Sequence, residues 1–258
     1  MVMGKIRRGG SRVLTEERYA YILNELNKKQ LIHLQEIAQT LHVSESTVRR
    51  DFQNLEEAGE LIRVHGGAKR VGQRLIEPNL VQKREQYPSE KKRIAKRASE
   101  LIVKNDTIFL DAGTTTREMI PYLPRENILV VTHGIEIAYD LYRAQIPTLL
   151  IGGLVKERTG AILGTTTYEQ IKSLNFDRAF MGMNGIDQKA GYTTPDIEEA
   201  RIKKLVFENS RYTYVLADSS KFKAISFCQV AALDQAILIT DQKDKDFDEW
   251  MTIMEVSE

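Results

Sequence analysis

The stretch that decides the reading is Ser44–Ala68, SESTVRRDFQNLEEAGELIRVHGGA. Val48, Phe52, Leu55 and Ala58 recur at helical spacing and share one face. Ser46, Thr47, Arg49 and Arg50 lie off that face, so two hydroxyls and two guanidiniums stand near the start of an amphipathic helix. Hydroxyls and helix N-termini suit phosphate oxygens, and arginine forks onto the edge of a guanine. Ser44 fits the N-cap, where its hydroxyl accepts from an orphan amide of the first turn. Gly59 fits the left-handed residue that ends a helix. Leu61, Ile62 and Val64 then read as a short strand and His65-Gly66-Gly67 as a hairpin tip, with Lys69 and Arg70 on the return strand. The expectation is a DNA-recognition helix followed by a β-wing, touching DNA through Ser44, Ser46, Thr47, Arg49, Arg50, His65, Lys69 and Arg70. A plain packing module is the alternative, in which Arg49 and Arg50 pair with Asp51, Glu56 or Glu57.

Upstream, Tyr19, Ile22, Leu23 and Leu26 make the apolar stripe of a first helix over 15–28, and Leu34, Ile37, Ala38 and Leu41 that of a second over 34–41. His42-Val43 is a tight connection into Ser44. Two short helices and a polar-faced third are the helix-turn-helix pattern, whose recognition helix lies in the major groove. Charge agrees with this placement. Residues 1–74 carry 13 Lys/Arg against 9 Asp/Glu, whereas the rest carries 24 against 27, under a net charge of only +1.

The run VSESTVRRDFQNLEEAGELIRVHGGA closely resembles, without a gap, the signature of the deoxyribose-operon repressor (DeoR) family of bacterial transcription regulators. The resemblance implies DNA binding and a C-terminal sugar-phosphate sensor.

At 258 residues the chain is long enough for two domains. With 42% hydrophobic and 28% charged residues and no membrane-length apolar run, it reads as a cytoplasmic protein with no membrane partner. The basic N-terminus (Lys5, Arg7, Arg8, Arg12) precedes no apolar segment and so is not a secretory signal. The single cysteine, Cys228, reads as a small core residue, and His65 has no second ligand at zinc spacing, so no metal is expected. Residues 71–89 lack clean periodicity and contain Pro78 and Pro88. They divide the chain into a winged helix-turn-helix over 1–74, a linker over 75–88 and a sensor and oligomerisation domain over 89–258. The helix opening that last part is read with Ile94, Ala98, Leu101 and Ile102 inward and Lys91, Lys92, Arg93, Lys96 and Arg97 outward.

Beyond residue 106, strand and helix patterns alternate, with strands near 107–110, 128–132, 147–151, 178–181, 212–217 and a last one at 236–240. Helices are read over 114–123, 134–142 and 197–209. This order argues a parallel-rich α/β sheet covered on both faces, with ligands beyond the carboxyl ends of its strands. Asp111-Ala112-Gly113-Thr114-Thr115-Thr116 follows the first strand and opens a helix, where a glycine, free amides and three hydroxyls suit a phosphate. It lacks the lysine and second glycine of a Walker loop, and an ordinary capped turn would look the same.

LDAGTTT, VVT, the Gly152-Gly153 pair, AFMGMNGID, GYTTPDIEEA and LADSSKF all look like the DeoR-family sensor, a domain similar in fold to ribose-5-phosphate isomerase. The resemblance implies that Asp111, Gly113, Thr114, Thr115 and Thr116 bind an effector phosphate. It places Asn184, Asp187, Glu198 and Lys221 around the sugar, and Gly152 is counted with the effector-binding residues. His133 departs from it, standing where the family usually has asparagine. TGAILG and GYTTPDIEEA look most like fructose-operon repressors within the family, which implies fructose 1-phosphate, with tagatose 6-phosphate as runner-up. The expected protein is therefore a repressor, a homodimer or homotetramer on double-stranded operator DNA, with a sugar-phosphate effector, no cofactor and no catalytic residues. The alternatives are a sugar-phosphate isomerase carrying a nucleic-acid-binding module, for which Asp187, Glu198 and a lysine would supply proton transfer, and an activator. The tail after Asp241 is left without a role.

Overall fold

Ser44 starts the recognition helix as its chemistry requires: it is extended, and its hydroxyl accepts from the Thr47 amide at 3.2 Å. The computed structural model describes residues 14–256, except positions 30, 59, 65 and 71–79. Gly59, His65, the basic N-terminal arm and most of the expected linker therefore lie outside the described residues, as do the side chains of Lys69 and Arg70. The chain divides into two units, Met1–Gln73 and Arg74–Glu258.

In the first unit, α1 (Thr15–Lys29), β1 (Leu31–His33), α2 (Leu34–Leu41) and α3 (Glu45–Glu57) are followed by β2 (Leu61–Val64) and β3 (Gly67–Arg70). The three strands pair antiparallel in the order β1-β3-β2. β1 went unread in the sequence, yet it sets the wing. Gly67 lies opposite His33, and a Cβ there would stand 2.1 Å from the Ile32 carbonyl oxygen, so glycine lets β3 seat against β1. Ile22, Leu26, Ile32, Ile37, Val48, Phe52, Leu55 and Leu61 form the core. Ala58 is exposed, correcting its place on the apolar face; Asp51 is buried on α3 instead. Its carboxylate is tolerated because Arg18 of α1 forks onto it, Nε to Oδ2 at 2.7 Å and the terminal nitrogen to Oδ1 at 2.9 Å.

The second unit opens with α4 (Leu80–Glu85) and α5 (Pro88–Ser99). The expected linker over 75–88 thus contains a helix, and Pro88 starts the next one, where its missing N–H costs nothing. Lys91 is buried rather than outward and donates to the Lys83 carbonyl, tying α5 to α4. Next come β4 (Thr107–Leu110), α6 (Thr114–Arg117), β5 (Leu129–Thr132), α7 (Ile135–Arg143), β6 (Thr148–Leu150), β7 (Leu154–Val155), β8 (Ile162–Leu163) and α8 (Thr165–Lys172). The helix expected over 114–123 ends at Arg117; a 3-10 turn over Ile120–Tyr122 follows, because Pro121 has no amide to continue the ladder. The chain finishes with β9 (Phe176–Gly182), β10 (Gly185–Asp187), β11 (Gly191–Thr194), α9 (Ile197–Glu208), β12 (Ser210–Leu216), β13 (Cys228–Ala231), β14 (Ile237–Thr240) and β15 (Thr252–Glu255).

Seven of these strands form one all-parallel sheet in the order β15-β14-β12-β9-β4-β5-β6. The tail thus has a role: β15 pairs along β14 and adds the edge strand, with Phe247 and Met251 buried beneath it. Alternate residues along β4 serve opposite faces. Ile108 and Leu110 pack with Ile94 and Ala98 of α5 and Ile137 and Leu141 of α7. Phe109 packs with Ile202 and Val206 of α9 on the other face. Burial on both faces is what a parallel sheet covered by crossover helices requires. Strands β10, β11 and β13 form a separate antiparallel sheet, and Cys228 on β13 is only half-buried.

Candidate functional site

On α3, Ser46, Arg49 and Arg50 are exposed and Thr47 is half-buried. The Ser44 hydroxyl lies 2.8 Å from both the Ser46 and Thr47 hydroxyls, so the three form one cluster at the start of the helix. The acids that might have claimed the two arginines are committed elsewhere: Asp51 to Arg18, Glu56 to Arg63 at 2.6 Å, and Glu57 to the Gln53 amide at 3.0 Å. Among the described residues, Arg49 and Arg50 make no ion pair, which leaves their charge to whatever this face meets.

In the second unit the strand order runs β4, β5, β6 in one direction and returns to place β9 on the other side of β4. The β4/β9 boundary is therefore the topological switch point of the sheet. The loop after β4 and the end of β9 meet there. Asp111 Oδ2 accepts from the Gly182 amide at 2.9 Å and pairs with Lys203 of α9, whose ammonium also donates to the Gly182 carbonyl at 2.9 Å. Both side chains are buried. Burial raises the Asp111 carboxyl, but the Lys203 ammonium, His133 and the Gly182 amide outweigh it and hold the pKa below its ordinary value. His133 stacks on Phe109 with its Nε2 3.8 Å from Asp111. Burial drives its pKa down to about 4 against the pull of Asp111, so the ring is neutral at pH 7. Its Nδ1 is buried and has no hydrogen-bond partner among the described residues.

The loop itself is braced from within. The Thr116 hydroxyl lies 2.6 Å from the Asp111 carbonyl and takes the Gly113 amide at 3.1 Å, and the residue is fully buried. Asp111 and Thr116 thus hold the loop from beneath. Gly113, Thr114 and Thr115 remain at the start of α6, where the first amides of a helix have no intrahelical acceptor. Gly113 and Thr114 line a narrow cleft together with Leu80 and Arg84 of α4, Arg117, Glu136 and Thr159. An adjoining cavity of about 520 Å³ is bordered by Thr114 and by Arg84, Arg117, Arg125 and Arg143.

A second polar cluster gathers after β9. The Thr194 hydroxyl donates to Asn184 Oδ1 at 3.1 Å and lies 3.4 Å from Glu199. Glu199 also accepts from Lys156 at 3.1 Å and Thr159 at 3.3 Å, and Lys156 reaches Asp196 at 3.0 Å. Asn184 therefore sits in this network, but Glu198 does not: its side chain is 45% exposed and pairs with Arg201, and the buried acid is its neighbour Glu199. Asp187 caps the β10–β11 hairpin, accepting from the Lys189 and Ala190 amides at 2.9 Å. Lys221 stands 3.9 Å from the buried Asp218 beyond β12, with no hydrogen bond to either cluster among the described residues. Gly152 is tied to Gln170 and Thr167 of α8. Lys203, Glu199, Lys156, Thr194, Arg84 and Arg117 were missing from the expected set. One signal was available: Asp196 caps α9, and Glu199, Lys203 and the core residue Val206 recur at helical spacing on its inner side.

Residues 18–74 match the DeoR-like helix-turn-helix domain, and residues 86–242 match the DeoR C-terminal sensor domain. The chain belongs to the DeoR family. This DeoR-family chain is 40% identical over 240 residues to FruR of Bacillus subtilis, described as an uncharacterized HTH-type transcriptional regulator, covering 92% of this chain and 96% of that protein. It is 35% identical to the HTH-type transcriptional regulator GlpR of Haloferax volcanii (89% and 91% covered) and 32% identical to a lactose phosphotransferase system repressor of Staphylococcus epidermidis (88% and 92% covered). Among solved structures, ribose 5-phosphate isomerase A of Methanocaldococcus jannaschii aligns with 51% of this chain and 53% of its own at 18% identity and TM-score 0.38, too slight a likeness to carry an argument. The DeoR-family match makes the protein a DNA-binding transcription regulator and removes the ground for the isomerase alternative. No helix among its described residues is long and apolar enough to cross a membrane.

Proposed function

We propose that the protein is a repressor of a sugar-utilisation operon, released from its operator by a phosphorylated sugar. The observation that carries the DNA half is α3, which presents Ser46, Arg49 and Arg50 on an exposed face with their competing acids already paired. The ligand half is supported by the cleft between the loop after β4 and the start of α7, bordered by Gly113, Thr114, Arg84 and Arg117, and by the adjoining cavity to which Arg125 and Arg143 contribute. Fructose 1-phosphate is the first choice of effector and tagatose 6-phosphate the second. That order rests on the resemblance of TGAILG and GYTTPDIEEA to fructose-operon repressors. The ligand acts as an effector rather than a cofactor, shifting the protein between two states in proportion to its differential affinity for them. An even-numbered homo-oligomer, dimer or tetramer, suits two-fold operator half-sites.

The test is binding of the full-length protein to fragments of its own upstream region, by fluorescence anisotropy at one stated salt concentration, with and without each sugar phosphate. Tight binding released by one of them is the expected result. Binding that neither changes would overturn the effector reading and keep the DNA reading; absence of specific binding would overturn both.

A further inference from the structure

Two guanidiniums from separate elements converge on one carboxylate beside the Gly113–Thr115 loop. Arg84 of α4 pairs with Glu136, and Arg117 of α6 reaches the same Glu136 oxygen at 3.1 Å while its Nε holds Asp140 at 2.6 Å. Arg84 Nε is buried with no hydrogen-bond partner among the described residues. Burial, and after it the facing Arg117, pull the Arg84 pKa down against the opposing pull of Asp140 and Glu118.

The space between these groups and Gly113–Thr114 measures about 10 Å³, room for a single water at most. A phosphate cannot enter it while the Glu136 carboxylate stays. The neighbouring cavity of about 520 Å³ is large enough for a sugar phosphate and brings Arg125 and Arg143 to the approach, against Glu118 and Asp140. A phosphate dianion carries more charge and more acceptor oxygens than a carboxylate, and arginine receives it through two parallel hydrogen bonds.

We propose that Arg84 and Arg117 are the cationic ligands of the effector phosphate, and that Glu136 is an internal carboxylate which occupies them until the phosphate displaces it. The inference rests on the sugar-phosphate reading above and goes beyond it in naming the groups that bind and the group that competes. It also gives the exchange a consequence. α4 is held by Arg84 on one side and by Lys91 on the Lys83 carbonyl on the other. Replacing Glu136 by a ligand changes the first of these ties. α4 is the first described element after the unit boundary at Gln73, so the ligand is sensed on the stretch of chain that leads from the DNA reader.

The experiment is isothermal titration of the full-length protein with fructose 1-phosphate, tagatose 6-phosphate and inorganic phosphate, each also tested on variants whose folding is checked by thermal unfolding. Glu136→Gln removes the competing charge and should tighten binding of inorganic phosphate, and of whichever sugar phosphate the wild type binds, by about ten-fold. Arg84→Ala and Arg117→Ala should each weaken it by about ten- to a hundred-fold, the range of a charge-assisted hydrogen bond. Arg84→Lys should restore only part of the loss, because it keeps the charge without the fork. Unchanged or weaker binding by Glu136→Gln overturns the proposal, as does wild-type affinity in both alanine variants. If Arg84→Ala does not fold, Arg84→Lys and Glu136→Gln decide. If no sugar phosphate binds but Glu136→Gln still tightens inorganic phosphate, the sugar reading falls and the anion site stands. If inorganic phosphate binds no variant, the site falls.

Discussion

Acidification should weaken the second unit through His133. The ring is 2% exposed, and burial, with Lys203 adding to it, drives its pKa down to about 4 against the pull of Asp111. In the unfolded chain a histidine titrates at about 6.5. Between those values the unfolded state binds more protons than the folded one, so stability falls as pH falls through that window. Linkage sets the loss at about 2 kcal/mol near pH 5 and about 3 kcal/mol by pH 4. Asp111 acts in the same sense but lower on the scale. Its folded pKa is depressed, so its contribution is present above the unfolded value of about 3.9 and is lost only as pH falls through the folded value. The two groups therefore separate by pH. The assay is urea unfolding followed by the fluorescence of Trp250, the single tryptophan of the chain, which lies in the second unit. Wild type should lose about 2 kcal/mol more than His133→Asn between pH 7 and pH 5, since asparagine does not titrate. Parallel stability curves for the two proteins would refute the reasoning.

Two further outcomes follow from the same geometry. Lys203→Met leaves the Asp111 carboxylate buried without its cation and should cost about 3–5 kcal/mol in urea unfolding, whereas adding Asp111→Asn should recover most of the loss; a double variant no better than the single one would contradict a coupled pair. On α3, Arg49→Ala and Arg50→Ala should each weaken operator binding by about ten- to a hundred-fold at fixed salt with unchanged unfolding midpoints, and full affinity in both would remove α3 as the recognition surface.

What the sequence disclosed and what it hid divide along one physical line. Local signals carried the recognition helix: the Ser44 cap, the spacing of Val48, Phe52 and Leu55, and the strand after them all act within a few residues. The alternation of β4, β5, β9, β12 and β14 with helices likewise follows from runs of apolar residues. β1 and β15 were missed because each is short and owes its pairing to a partner remote in sequence or to burial of neighbours such as Phe247 and Met251. The site failed in the same way. Asp111 was legible as a residue at a strand end, but its partner Lys203 lies 92 residues on, and nothing local marks the pair. Glu198 was preferred to Glu199 by resemblance alone, although the cap at Asp196 turns Glu199 inward with Lys203. Asp51 was considered only as a partner for Arg49 or Arg50, because its actual counter-charge, Arg18, is 33 residues away on another helix.

The same non-local pairing explains how a loop that opens on an aspartate can face an anion. Asp111 alone would set a carboxylate directly beneath Gly113–Thr115 and oppose a phosphate there. Lys203 and the Gly182 amide absorb that charge from below, and His133 stays neutral beside it, so the buried layer presents little net charge to the loop. The Thr116 hydroxyl takes the Gly113 amide and contacts the Asp111 carbonyl, fixing the loop at the start of α6. The cationic side is then supplied from above, by Arg84 and Arg117, which are not held by the Asp111 pair. A charge-balanced floor and an arginine roof whose carboxylate Glu136 is exchangeable assign different work to the two ion-pair systems. The Asp111–Lys203 pair should determine whether the unit folds, and the Arg84–Glu136–Arg117 group should determine what the folded unit binds.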